Sequence, residues 1–154
     1  MPLFKRDAQK ESGEQHSLAS MRVLNQEGIF DRLEEEIFRA ERYGRALMVL
    51  CVLPQRLPGE DPQPKETTLA ADALSGRLRF SDRVGMLDDG TLVVLLPETS
   101  GDAARVVAHK IVADLAIRGS GLGYAKWLVG TSTFPEDGTD PSSMVVAAFQ
   151  RAKI

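Results

Sequence analysis

A chain of 154 residues has the length of one ordinary domain. With 43% apolar and 27% charged residues, it excludes collagen-like, mucin-like and wholly disordered classes. The net charge of −3, from 19 Lys and Arg against 22 Asp and Glu, argues against broad sequence-independent nucleic-acid binding, which needs a basic face, but leaves room for one small anion in a local pocket.

Residues 1–20 are polar, mixed in charge and aperiodic, so Met1 to Ser20 reads as a flexible tail ahead of a domain over 21–154. From Glu27 to Tyr43 the apolar residues Ile29, Phe30, Leu33, Ile37, Phe38 and Ala40 recur at helical steps. Glu34, Glu35, Glu36, Arg39 and Arg42 are expected on the outer face, with Asn25 as N-cap and Gly44 as stop.

Ala46 to Leu53 is a continuous apolar run ended by Pro54, which fits a strand buried on both faces. It is far shorter than the ~20 residues that cross a bilayer, and the N-terminus has no contiguous apolar signal region. Cys51 is the lone cysteine and lies inside that run, which suits a small core residue in a reducing, cytoplasmic setting. Pro54 to Pro64 carries four prolines in eleven residues and reads as loop.

Helix returns over Glu66 to Leu78, with Leu69, Ala70, Ala73, Leu74 and Leu78 inward. Arg83–Leu87, Asp88-Asp89-Gly90 and Thr91–Leu96 spell a hairpin around an Asp-Gly turn. A helix follows over Ala103–Ile117, with Ala104, Val107, Ala108, Ile111 and Leu115 inward. Gly119 to Gly123 is a glycine-rich turn, and the strand expected after it argues against a dinucleotide loop. Tyr124 to Phe134 reads as strand, with Trp127 as packing. Pro135 to Thr139 reads as a turn, and Pro141 to Lys153 as a last helix with Met144, Val145, Ala148, Phe149 and Ala152 inward. The order α-β-α-β-β-α-β-α indicates an α+β sandwich with helices covering a mixed sheet. His16 and His109 have no spaced partner for catalysis or metal binding.

Four segments in order resemble the GGDEF, or diguanylate cyclase, domain family: Phe30 to Leu47, Ser81 to Thr99, Val129 to Gly138 with its Phe134-Pro135-Glu136-Asp137-Gly138 turn, and Ala147 to Lys153. The resemblance covers roughly residues 22–154. It implies a palm-like fold, a mixed sheet of about five strands flanked by helices, in a family that joins two GTP molecules into cyclic di-GMP across a dimer. It also implies two metal-binding carboxylates per subunit. Here the signature turn aligns with Asp88, Asp89, Gly90, Thr91 and Leu92, so both glycines are aspartates and the acidic pair is Gly90-Thr91. Leu53 stands where the other carboxylate belongs, and leucine offers no oxygen to Mg²⁺. Without metal clamping, phosphoryl transfer loses its main stabilisation. The acids of the turn, with Glu60 and Asp61 of the proline-rich loop, are expected to be solvated rather than a metal centre.

Arg79-Phe80-Ser81-Asp82 resembles the family's Arg-x-x-Asp motif, which binds cyclic di-GMP as an allosteric inhibitor, and Lys110 aligns with a basic residue that often assists it. An arginine fork can bond phosphate or the Hoogsteen edge of guanine, and a carboxylate can accept from guanine N–H groups. Arg83 and Arg105 add nearby positive charge. The resulting expectation is an inactive GGDEF-like domain, with no metal or other cofactor, that works as a regulatory or protein-interaction module. Cyclic di-GMP and a protein partner or weak homodimer are its expected partners, with no nucleic acid and no membrane. The alternatives are a dedicated cyclic di-GMP receptor, in which Arg79→Ala removes binding and leaves folding nearly unchanged, and an enzyme with residual nucleotide turnover.

Overall fold

The computed structural model describes residues 23–55, 64–119 and 127–152. The expected tail, residues 56–63 of the proline-rich loop and the glycine-rich turn beyond Gly119 lie outside the described residues. The elements run β1 (Val23–Leu24), α1 (Gln26–Tyr43), β2 (Leu47–Pro54), α2 (Pro64–Ser75), β3 (Arg83–Met86), β4 (Leu92–Pro97), α3 (Gly101–Gly119), β5 (Trp127–Phe134) and α4 (Pro141–Ala152). The strands form a 5-stranded mixed sheet in the order β1-β3-β4-β2-β5. β1 lies parallel to β3, and the other neighbours are antiparallel. This is the expected α+β architecture.

β2 explains the layering. Its apolar run has no polar face because both faces are covered. Leu47, Val49 and Cys51 pack with residues of α1 and α4, while Met48, Leu50 and Val52 pack with residues of α2 and α3. Trp127 is buried in the α2/α3-side core, in line with a packing role. Cys51 is fully buried, and burial, aided by the charge of Asp89, pushes its thiol up to about 12.

Helix α1 starts where the Asn25 carboxamide accepts from Gly28 N–H (2.8 Å) and stops at Gly44, whose φ of 64° suits a residue without Cβ. Ile29, Leu33, Ile37 and Ala40 are buried as expected. Two expectations fail on this helix. Phe38 is 63% exposed and Phe30 only half-buried, whereas Glu36 lies buried in the apolar stripe. The stripe runs 29-33-36/37-40, and residue 38 is turned off it by roughly 100° per residue. Glu36 is tolerated there because its Oε2 accepts from Arg32 Nε (3.0 Å) and Arg39 Nη1 (2.9 Å).

Other boundaries shift. β1 was not expected: its two residues show no period and become a strand only by pairing with β3. α2 begins at Pro64, inside the expected loop, because proline's missing N–H costs nothing in a first turn, and it ends before Gly76 rather than at Leu78. α3 extends from Gly101 to Gly119, past both expected ends. Val107 and Phe149, expected inside, are half-buried.

The turn after β5 is tied to α4. Arg151 Nη2 and Nη1 donate to Asp137 Oδ1 and Oδ2 (2.7 and 2.8 Å), and Nη1 also reaches Thr131 O (2.9 Å). The Arg151 hydrogen bonds hold the Asp137 carboxyl down at about 2, against an ordinary 3.8. A depressed carboxylate stabilises the fold above its unfolded pKa and loses that contribution as pH falls through the folded value. Asp137→Asn is therefore expected to cost about 1 kcal/mol at pH 7, allowing for solvent around the half-exposed Arg151, or roughly 2–4 °C in Tm. Thermal melts should show this gap closing between about pH 4 and pH 2; a gap independent of pH would refute the assignment.

Candidate functional site

The sheet register separates the two sequence motifs. Arg83 pairs with Leu95 at one end of β3, and Met86 pairs with Leu92 at the other. The Arg79–Asp82 turn precedes β3, and the degenerate signature turn follows it, so the motifs occupy opposite ends of the sheet.

At the signature turn, Leu87 N–H donates to Thr91 O (2.8 Å) and Gly90 N–H to Leu87 O (2.9 Å), with Gly90 at a φ of 91°. Asp89 Oδ1 accepts from Thr91 N–H (2.9 Å), and Gln26 Oε1 of α1 accepts from Asp88 N–H (2.9 Å). The aspartates are exposed, while Thr91 and Leu92 are buried. Leu53 is half-buried at the end of β2, paired with Leu128 of β5. The donor set here is a leucine side chain, one buried neutral hydroxyl and two exposed turn carboxylates, one of them bonded to backbone. That set does not fit a two-metal centre, which requires converging hard oxygen donors. Among the described residues, no group of three or more His, Cys, Asp and Glu is placed to hold a metal ion.

At the other end, α2 finishes and the chain turns sharply into β3. Arg79 N–H and Nε donate to Asp82 Oδ2 (2.8 and 3.3 Å), and Nη2 donates to Asp82 Oδ1 (3.0 Å). Asp82 N–H returns a bond to Arg79 O (3.1 Å). Nη2 also reaches Pro97 O and Thr99 Oγ1 at the end of β4 (both 2.7 Å), and the Thr99 hydroxyl donates to Pro97 O (2.9 Å). The Asp82 side chain is 4% exposed and that of Arg79 is 55%. Hydrogen bonding to Asp82 raises the Arg79 pKa further, so its charge is permanent. The pair is a clasp across the turn and onto β4.

The structure thus brings Arg79 and Asp82 together. Lys110 stands exposed on α3, and no hydrogen bond or ion pair among the described residues links it to either. One helical turn on, Asp114 holds Arg77 Nη2 (3.0 Å), which joins α3 to the end of α2. Arg105 is exposed and paired with Asp102. His109 is exposed on α3.

Sequence reasoning missed three participants, Phe80, Pro97 and Thr99, and entered Arg83 only as nearby charge. Phe80 is 89% exposed, with the Arg83 guanidinium carbon 6.0 Å from its ring centroid. Arg83 Nη1 is fixed by Phe80 O (2.6 Å) and Asp82 O (2.8 Å). A cavity of about 270 Å³ opens beside them, lined by Leu24, Leu78, Arg79, Phe80, Asp82 and Arg83 among others. An aromatic residue inside a polar turn was the available signal for Phe80. Thr99 contacts Arg79 across 20 residues, and nothing local announces it.

No family profile matches this sequence, and no curated protein matches it. Solved structures do match. The GGDEF domain of TpbB (also YfiN) from Pseudomonas aeruginosa is 24% identical, covers 90% of this chain and 87% of that one, and superposes with a TM-score of 0.72. The diguanylate cyclase SiaD of P. aeruginosa, solved with its activator SiaC, is 19% identical with a TM-score of 0.73, over 89% of this chain and 56% of that one. The coiled coil and GGDEF domain of DgcB from Caulobacter crescentus, solved with cyclic di-GMP, is 10% identical with a TM-score of 0.72, over 87% and 76%. The fold of this chain is that of the GGDEF domains.

Proposed function

We propose that this domain is a non-catalytic signalling module, which keeps the cyclase scaffold without the cyclase reaction and acts as a regulatory or protein-interaction domain. The observation that carries this reading is the donor set: Leu53 and Thr91 stand where the resemblance calls for metal carboxylates, Leu53 paired within the sheet and Thr91 buried in the turn that leads into β4. Phosphoryl transfer draws its rate from charge neutralisation and positioning, and these residues supply neither. Asp88 and Asp89 add negative charge where phosphates would have to lie. The setting we assign is cytoplasmic signalling, with a protein partner or a weak homodimer. SiaD, a fold relative, is solved in complex with its activator SiaC, which supports a protein partner here. No helix among the described residues is long and apolar enough to cross a membrane.

A second reading concerns the ligand. The Arg79–Asp82 turn keeps its place ahead of the signature turn, opens on a cavity and is basic at its rim. We assign it cyclic di-GMP, the molecule bound to the fold relative DgcB.

Two measurements test these readings separately. Incubation with GTP and Mg²⁺ or Mn²⁺ should yield no cyclic di-GMP, and robust product formation would overturn the non-catalytic assignment. Calorimetric titration with cyclic di-GMP, with GTP as control, should give saturable heat. Silence at ligand concentrations of roughly 100 μM would remove the ligand and leave the interaction module.

A further inference from the structure

The Arg79–Asp82 clasp commits Asp82 fully and Arg79 through Nε and Nη2, leaving Arg79 Nη1 as the remaining nitrogen of a half-exposed side chain. Asp82 is buried, and both its oxygens accept from Arg79. Arg79 Nη2 serves three acceptors at once. Beside it the turn presents the Phe80 ring, 89% exposed, with the guanidinium of the half-buried Arg83 over it. Burial elsewhere in the fold does not account for Phe80, because its ring leaves the core entirely. Nor is the turn loose. Asp82 N–H to Arg79 O and Arg79 N–H to Asp82 Oδ2 close it from both sides, and Arg83 Nη1 is pinned on Phe80 O and Asp82 O. Pinning one nitrogen fixes the guanidinium plane and leaves Arg83 Nε and Nη2 without a partner among the described residues. Both side chains line the same cavity.

We propose that Phe80 and Arg83 form the ligand-contacting platform of this turn, which takes the planar base of a purine nucleotide by stacking on Phe80 and a base edge or phosphate at Arg83, while Arg79 and Asp82 are positioning residues that hold the platform. The inference rests on the nucleotide reading of the same turn, and it moves the specificity from Arg79 and Asp82 to Phe80 and Arg83. Every base has a π-face, and a guanidinium prefers acceptors such as phosphate or guanine O6 and N7. An exposed aromatic ring beside an anchored arginine therefore favours a planar base whose nucleotide carries a negatively charged phosphate.

The test titrates the full chain with cyclic di-GMP, GMP and UMP, by calorimetry and by amide NMR shifts, in wild type and in Phe80→Ala, Phe80→Trp, Arg83→Gln and Lys110→Ala. Phe80→Ala should weaken purine binding by at least about tenfold, the range of one lost base stack, with Phe80→Trp retaining it. The Tm of Phe80→Ala should stay unchanged, because the ring is exposed. Arg83→Gln should weaken cyclic di-GMP and GMP alike, Lys110→Ala neither, and UMP should bind more weakly than GMP throughout. Binding of cyclic di-GMP that survives Phe80→Ala overturns the platform and keeps the cyclic di-GMP reading. GMP shifts centred on Phe80, without cyclic di-GMP heat, remove that reading and keep the platform. No response to any of the three nucleotides overturns both.

Discussion

Gly130→Ala is expected to destabilise the fold by about 3 kcal/mol, the largest single loss we anticipate, and to lower Tm by roughly 6–12 °C. Gly130 sits in β5 directly beneath α4. A Cβ there would overlap Ala148 O and Ala152 N, and Arg151 C would be 2.9 Å away. All three are backbone atoms of one helix, so no rotamer change relieves the clash. The helix must rise, and with it Met144, Val145 and Ala148, which fill the core against β2 and Phe134. The small residues Gly130, Ala148 and Ala152 form a seam that lets helix and strand approach, and a single methyl breaks it. Gly101→Ala is the matched control, since nothing lies within 4 Å of a Cβ there and the site opens a helix. It should be near neutral or slightly stabilising. Thermal melts of both variants check the pair, and a Gly130→Ala melt within about 2 °C of wild type would refute the close-approach account.

Arg79→Ala should lower stability by about 2–3 kcal/mol. The sequence alone leads to the expectation that this change leaves folding nearly unchanged; the buried Asp82 carboxylate argues for a loss. Removing the guanidinium strands the Asp82 carboxylate, 4% exposed, without its counter-ion, and takes a donor from Pro97 O and Thr99 Oγ1. Leaving a buried charge uncompensated costs more than the pair contributes when intact. Arg79→Lys should recover part of the loss, because it returns the charge without the fork that spans Asp82, Pro97 and Thr99. Urea titrations should show the midpoint falling with little change in slope. An Arg79→Ala variant as stable as wild type would mean the clasp contributes nothing. The consequence for binding work is direct: loss of ligand in Arg79→Ala reports the turn's integrity as well as its contacts, whereas Phe80→Ala does not carry that ambiguity.

The contrast between these sites shows where the sequence is informative. The doubly buried β2 follows from an uninterrupted apolar run, α1 from its caps and stripe, and the β3–β4 hairpin from Asp89-Gly90 between apolar segments. These are local statements, written in periodicity and turn chemistry. Glu36 shows the limit of that grammar. Its type says surface and its position says core, and the two arginines one turn either side let position win. Phe38 fails the opposite way, apolar in type but turned off the stripe. β1 has no local signature, since two residues become a strand only when β3 lies beside them.

The sequence alone determined the helices and the strands other than β1, that one strand is buried on both faces, and that Leu53 and Thr91 offer no carboxylate, because each of these depends on residue type and near spacing. Only the tertiary structure decided that Arg79 and Asp82 bond to each other and on to Pro97 and Thr99, that the Phe80 ring faces outward with Arg83 beside it, and that Gly130 must lack a side chain. Those outcomes depend on which distant backbone atoms arrive within a few ångströms, and packing, not periodicity, sets that distance.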